Sequence, residues 1–157
     1  MILSEELKEI ENSNEFKNFK EKNNLSFLSS IFLQNKTPQF DFYNPESDKI
    51  TSFIQKDNEI YKQESEIFRK EKIEIKELQL NKVKLSLRDI TKLMLKLLEK
   101  YNQNPTKQFI VLQQEQSPVY NISYLTAEFK LLHVKINANS GEVVSENIES
   151  VLKFKTQ

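Results

Sequence analysis

The stretch FKLLHVKINANSGEVVSE, Phe129–Glu146, carries the reading of the fold. Its first half alternates, with Phe129, Leu131 and His133 on one face of a strand and Leu132, Val134 and Ile136 on the other. Asn137, Asn139 and Ser140 then lead to Gly141, the one glycine of the chain. A hairpin loop wants Asn or Ser early and glycine where φ turns positive. Glu142–Glu146 returns as the next strand.

Working outward, two more strands precede this hairpin. Gln108–Gln114 sets Phe109, Val111 and Gln113 against Ile110 and Leu112, and Val119–Leu125 alternates through Tyr120, Ile122 and Tyr124. Ser117-Pro118 turns the chain between them. Ser86–Tyr101 is the clearest helix. Leu87, Ile90, Met94, Leu97, Leu98 and Tyr101 form a wide apolar face, while Lys92, Lys96, Glu99 and Lys100 point away. Ser86 is a good N-cap with Asp89 placed to return the bond, and Asn102 to Pro105 ends the helix.

The first half follows a similar order. Residues 4–22 read as helix, broken near Asn12–Asn14, with Ser4 as the first cap and Ser13 starting the second turn. Leu7 shares a face with Ile10, and Phe16 with Phe19. Leu25–Leu33, Gln39–Tyr43 and Lys49–Gln55 read as strands, with turns at Gln34–Pro38 and Asn44–Asp48. Lys56–Glu71 is highly charged, and its pairs Ile60/Ile67 and Tyr61/Phe68 recur at seven. It is expected as a solvated helical connector, followed by a kinked strand over Lys72–Leu80. Ser150–Gln157 reads as a last strand or a frayed end.

The expected fold class is therefore α+β: two helix-plus-antiparallel-β-meander units. The expected divisions are 1–56, a charged connector over 57–85, and 86–157. The turns at Asn44 and Asn137 share Asn, Ser and Ser at equal spacing. Duplication and common turn chemistry both account for that match.

Ile136-Asn137-Ala138 and Ser140-Gly141-Glu142-Val143 resemble the closing motif of the PepSY-like domains. Over Ser86–Glu146 the order of elements is similar too. The resemblance implies a helix lying on a curved antiparallel sheet. It implies action by binding or restraining proteins, including proteases, and no catalytic residues.

Composition narrows the chemistry. The chain has 157 residues, 38% hydrophobic, 29% charged and 10% aromatic, with 11 phenylalanines. That aromatic content exceeds what a disordered chain carries. Zero cysteines exclude disulfides, zinc fingers, iron–sulfur clusters and thiol nucleophiles. A lone glycine excludes the glycine-rich nucleotide cradles. With 23 basic and 23 acidic residues there is no general field for nucleic acid or anionic lipid. The acidic start lacks a basic region leading into an apolar stretch, so a cytoplasmic protein without membrane association is expected.

Each candidate site has a competing structural role. His133 is the one imidazole available as a base. Glu64, Glu66, Glu71, Glu74 and Glu77 alternate with Lys62, Arg69, Lys70, Lys72 and Lys76, the pattern of a solvated self-paired face. Lys17, Lys20, Lys22 and Lys36 lie near phenylalanines that are better explained as core. No catalytic, cofactor or metal residue is expected. Phe40, Phe42, Tyr43 and Phe53 crowd one stretch and place aromatics on both faces of a strand. They are the expected interaction surface. The expected function is a non-enzymatic protein- or peptide-interaction module, with a second copy of the chain among its partners. The alternatives are a carrier of a small apolar ligand and, more weakly, a hydrolase-type enzyme with a carboxylate or His133 site.

Overall fold

The computed structural model describes residues 2–34, 37–67 and 74–154. The architecture is α+β with antiparallel strands, and the chain divides into two compact units, Met1–Leu78 and Gln79–Gln157.

The first unit opens with helices α1 (Leu3–Glu11) and α2 (Asn14–Lys22). Ser13 makes the break between them. Its hydroxyl oxygen accepts from the Phe16 amide at 3.2 Å, and its hydroxyl donates to the Ile10 carbonyl at 2.6 Å. Ser4 is not the first cap. Ile2 is the extended cap residue, and its carbonyl accepts from the Glu5 and Glu6 amides, so the cap lies two residues earlier and makes no side-chain bond.

Four strands follow as a meander in the order β4-β3-β2-β1: β1 (Phe27–Gln34), β2 (Thr37–Asn44), β3 (Lys49–Lys56) and β4 (Glu59–Glu66). Alternation sends Phe40, Phe42, Thr51 and Phe53 to one face. Leu28 and Ile31 join that face although they stand three apart, because the register shifts between Leu28 and Ser30. Phe16 and Phe19 of α2 close over it. All six ring pairs among Phe16, Phe19, Phe42 and Phe53 have centroids 4.9–6.2 Å apart. Tilted and edge-on rings at these distances are favourable.

The expected helical connector is corrected. Glu59–Glu66 is a strand paired with β3 along its whole length. A recurrence at seven places residues on opposite faces of a strand, and β4 is exposed at every position but Ile60. The stronger local signal was Asp57-Asn58, which take φ of 53° and 62° and make a two-residue hairpin turn. The expected strand over Lys72–Leu80 is also corrected: residues 74–79 are irregular and run into a 3-10 turn, Leu80–Lys82. The backbone amide of Leu78 donates to the Leu28 carbonyl at 2.8 Å, so this segment holds to β1 instead of forming a strand. Residues 35–36, 68–73 and 155–157, which carry parts of the expected turn, connector, kinked strand and tail, lie outside the described residues.

The second unit contains α3 (Leu87–Lys100), then β5 (Pro105–Gln114), β6 (Pro118–Thr126), β7 (Lys130–Asn137) and β8 (Val143–Ser150), a meander in chain order. The capping box is formed: the Asp89 amide donates to Ser86 Oγ, and the Ser86 amide donates to the Asp89 carboxylate. These bonds hold the Asp89 carboxyl below its ordinary range, the backbone bond contributing most. Ile90, Met94 and Leu98 of α3 are buried, as are Ile110, Leu112, Ile122, Leu132, Val134 and Ile136 of the sheet. Strand β8 runs to Ser150, four residues beyond the expected end, and a 3-10 turn spans Val151–Phe154.

The Asn137–Gly141 loop is the hairpin that its sequence predicts. Asn137 Oδ1 accepts from the Asn139 and Ser140 amides, and Gly141 takes φ of 81°. A Cβ on Gly141 would sit 3.2 Å from Leu85. The Ala138 carbonyl accepts from the Lys84 and Leu85 amides, so this loop also holds the approach to α3. At the far end of α3, Glu146 of β8 accepts from Lys100 at 2.9 Å and from the Tyr101 hydroxyl. These bonds lower the Glu146 pKa, the tyrosine contributing most.

Phe53 is 0% exposed and touches three rings. Phe53→Ala is expected to cost about 3–5 kcal/mol, read as a lower denaturant midpoint. Tyr120 is 1% exposed and its hydroxyl donates to the Leu85 carbonyl at 2.8 Å. Burial pushes its pKa up to about 12 from the ordinary 10. A raised folded value means stability is full below pH 10 and falls as pH rises toward 12. Tyr120→Phe removes that alkaline loss, which unfolding midpoints measured across this range will detect.

Candidate functional site

The expected surface of Phe40, Phe42, Tyr43 and Phe53 is corrected by burial. Phe40 and Phe53 are 0% exposed and Phe42 is 4%. All three lie on the helix-covered face and are core. Tyr43, one residue out of phase, sits on the opposite face. It is 9% exposed, its hydroxyl donates to Asp48 at 2.6 Å, and its ring meets Phe27 edge-on at 5.7 Å.

The face of the first meander turned away from the helices has a different composition. Register places Ser30, Asp41, Ser52 and Gln63 in one row across β1, β2, β3 and β4. Beside it runs a second row, Phe32, Gln39, Ile54 and Tyr61. Most of these side chains are half-buried, while Gln63 and Tyr61 are exposed, Tyr61 to 51%. Asp41 is the hub. Its Oδ1 accepts from Ser52 Oγ at 2.6 Å and Gln39 Nε2 at 2.9 Å, and its Oδ2 accepts from Ser30 Oγ at 3.2 Å. All three donors are neutral. A carboxylate has about four lone-pair positions, so the set leaves Oδ2 able to take another donor.

The aromatic residues dominate this stretch of the sequence and mask the polar row. The signal was present in QFDFY, residues 39–43, where polar Gln39 and Asp41 alternate with Phe40 and Phe42. Alternation sends the pairs to opposite faces.

The other candidates separate. Glu6, Glu9 and Asp57 rim a pocket of about 220 Å³ whose lining includes the buried Ile10 and Phe40. Burial raises the Glu6 pKa, the largest of its causes. Glu64 pairs with Lys49 at 3.2 Å, Glu66, Glu74 and Glu77 are exposed, and Glu71 lies outside the described residues. Among the described residues no group of three or more His, Asp or Glu side chains is arranged to hold a metal. Lys17 and Lys22 are exposed, Lys20 donates to the Ser26 carbonyl, and Lys36 lies outside the described residues. His133 is half-buried on the second meander, away from its apolar core face, with Nε2 against the Asn121 amide oxygen. Its ring partner is an amide, not the carboxylate of a Ser–His–Asp relay.

Charge is divided between the units. Residues 1–78 carry 16 acidic and 12 basic side chains, a formal −4, and residues 79–157 carry 7 and 11, a formal +4. The zero total conceals this asymmetry.

No helix among the described residues is long and apolar enough to cross a membrane. No family model matches the chain, and no curated protein matches it. The fold is similar to a crystal structure named as a "putative lipoprotein" from Clostridium difficile 630. That similarity has a TM-score of 0.54 at 12% identity, covering 87% of this chain and 91% of the other. At this identity the likeness concerns the fold.

Asp41→Ala strands three donors on a half-buried face and is expected to cost about 1–3 kcal/mol. Asp41→Asn keeps an acceptor oxygen and should cost less. Urea unfolding of the two variants beside the parent checks the order.

Proposed function

We propose that this chain is a non-enzymatic protein- or peptide-interaction module that binds through the outer face of its first meander. The observation that carries the reading is the pair of rows centred on Asp41: a polar line with aromatic and aliphatic side chains beside it, half-buried on a sheet face. Such a face combines desolvated area with fixed hydrogen-bonding groups, as interfaces do. The edge is a poorer place to bind. Strand β4 presents Glu59, Lys62, Glu64 and Glu66, all exposed, and charges of this kind discourage strand addition.

The resemblance of Ser86–Glu146 to PepSY-like domains supports the same reading, because members of that family often act by binding or restraining proteins. Duplication of the two units draws support from their shared helix-then-meander order and from their loops. Asn44 and Asn137 each bond the amide two residues on, and Asp48 and Gly141 both take positive φ four residues on. Against it, Asn44 lies in phase with the core residue Phe42, while Asn137 is one step out of phase with Ile136. The apolar-carrier reading is weaker. A pocket of about 220 Å³ rimmed by three carboxylates is smaller and more polar than typical sites for apolar ligands, which run from roughly 300 Å³ upward.

Tyr61→Lys and Phe32→Lys test the reading. Tagged parent chain should retain a protein or peptide from host lysate that both variants lose, with thermal midpoints within a few degrees of the parent. A partner retained equally by both variants places binding elsewhere.

A further inference from the structure

The outer face has one property that the interaction reading alone does not explain. Asp41 is the one charged side chain in its two rows, and among the described residues no lysine or arginine pairs with it. A half-buried carboxylate loses hydration and gains it back only through partners. Here the partners are the neutral donors Ser30, Gln39 and Ser52, which aim and fix the carboxylate without neutralising it. Phe32, Ile54 and Tyr61 stand in the adjoining row. The unit bearing this face has a formal charge of −4.

We propose that Asp41 is the receptor for a single lysine or arginine side chain of a partner peptide, flanked there by apolar residues that cover Phe32, Ile54 and Tyr61. The inference rests on the interaction reading above and names the chemistry of the partner. Four observations converge on it. The carboxylate is pre-aimed by hydrogen bonds, so little ordering remains to be done on binding. Its remaining acceptor position suits a charge-assisted bond from an ammonium or guanidinium group. The apolar row lowers the local dielectric and strengthens that attraction. The negative field of the unit favours approach of a cationic segment and falls with added salt.

Selection of a displayed heptapeptide library on the full chain tests this. Enriched peptides should carry a lysine or arginine between apolar residues. Replacing that residue by norleucine should weaken binding about tenfold on the parent chain and not at all on Asp41→Asn. A merely structural role for Asp41 would weaken both peptides alike on the variant. Enriched peptides without a basic residue, or equal binding of the basic peptide to parent and Asp41→Asn, overturn the assignment and leave the interaction reading standing. A selection that enriches nothing overturns both.

Discussion

Four phenylalanine rings, Phe16 and Phe19 from α2 and Phe42 and Phe53 from the sheet, close on one another in every pairwise combination. This contact decides which face of the first meander is core. Once Phe42 and Phe53 turn toward the helices, the two-residue period of a strand sends Asp41, Ser52 and Gln39 the other way. A one-residue slip of β2 would bury the Asp41 carboxylate and expose Phe40 and Phe42. The cluster thus holds the fold together and also sets the chemistry of the opposite face.

The second unit satisfies the same constraint with different parts. Aliphatic side chains take the place of the ring cluster, and the hairpin loop at Asn137–Gly141 holds the segment leading into α3. Tyr120 bonds the Leu85 carbonyl from within the sheet, fixing that segment a second time. Glu146 then ties the helix C-terminus to β8 through Tyr101 and Lys100. Each bond joins a residue at or next to an end of α3 to a strand. The outer face here carries Asn121 and His133, polar but without a hub carboxylate, so the two meanders present different chemistry.

Much of the architecture was legible from the chain. Leu87, Ile90, Met94 and Leu98 marked α3, Ser86 and Asp89 marked its start, and alternation, or for β1 an apolar run of β-forming residues, marked six of the eight strands within a few residues, with β8 begun but cut short. The missed strand, Glu59–Glu66, is almost wholly exposed, so its sequence carries no buried period to read. Its chance recurrence at seven outweighed Asp57-Asn58, a turn whose two left-handed residues only the tertiary pairing of β3 with β4 makes plain. The site was less legible. An excess of phenylalanine signals apolar demand, yet core and interface make the same demand, and composition does not separate them.

By itself, then, the sequence determined the class of fold, the starts of α2 and α3, the tight turns at Asn44 and Asn137, and the chemistries that its missing cysteines and lone histidine and glycine exclude. These are local matters, decided by side chains a few positions apart. Only the tertiary structure decided which face of each strand was covered, that Phe40, Phe42 and Phe53 were spent on the core, and that Ser30, Asp41 and Ser52 met. Those three residues lie on different strands, and their meeting depends on register, which the bulge after Leu28 and the ring cluster set together.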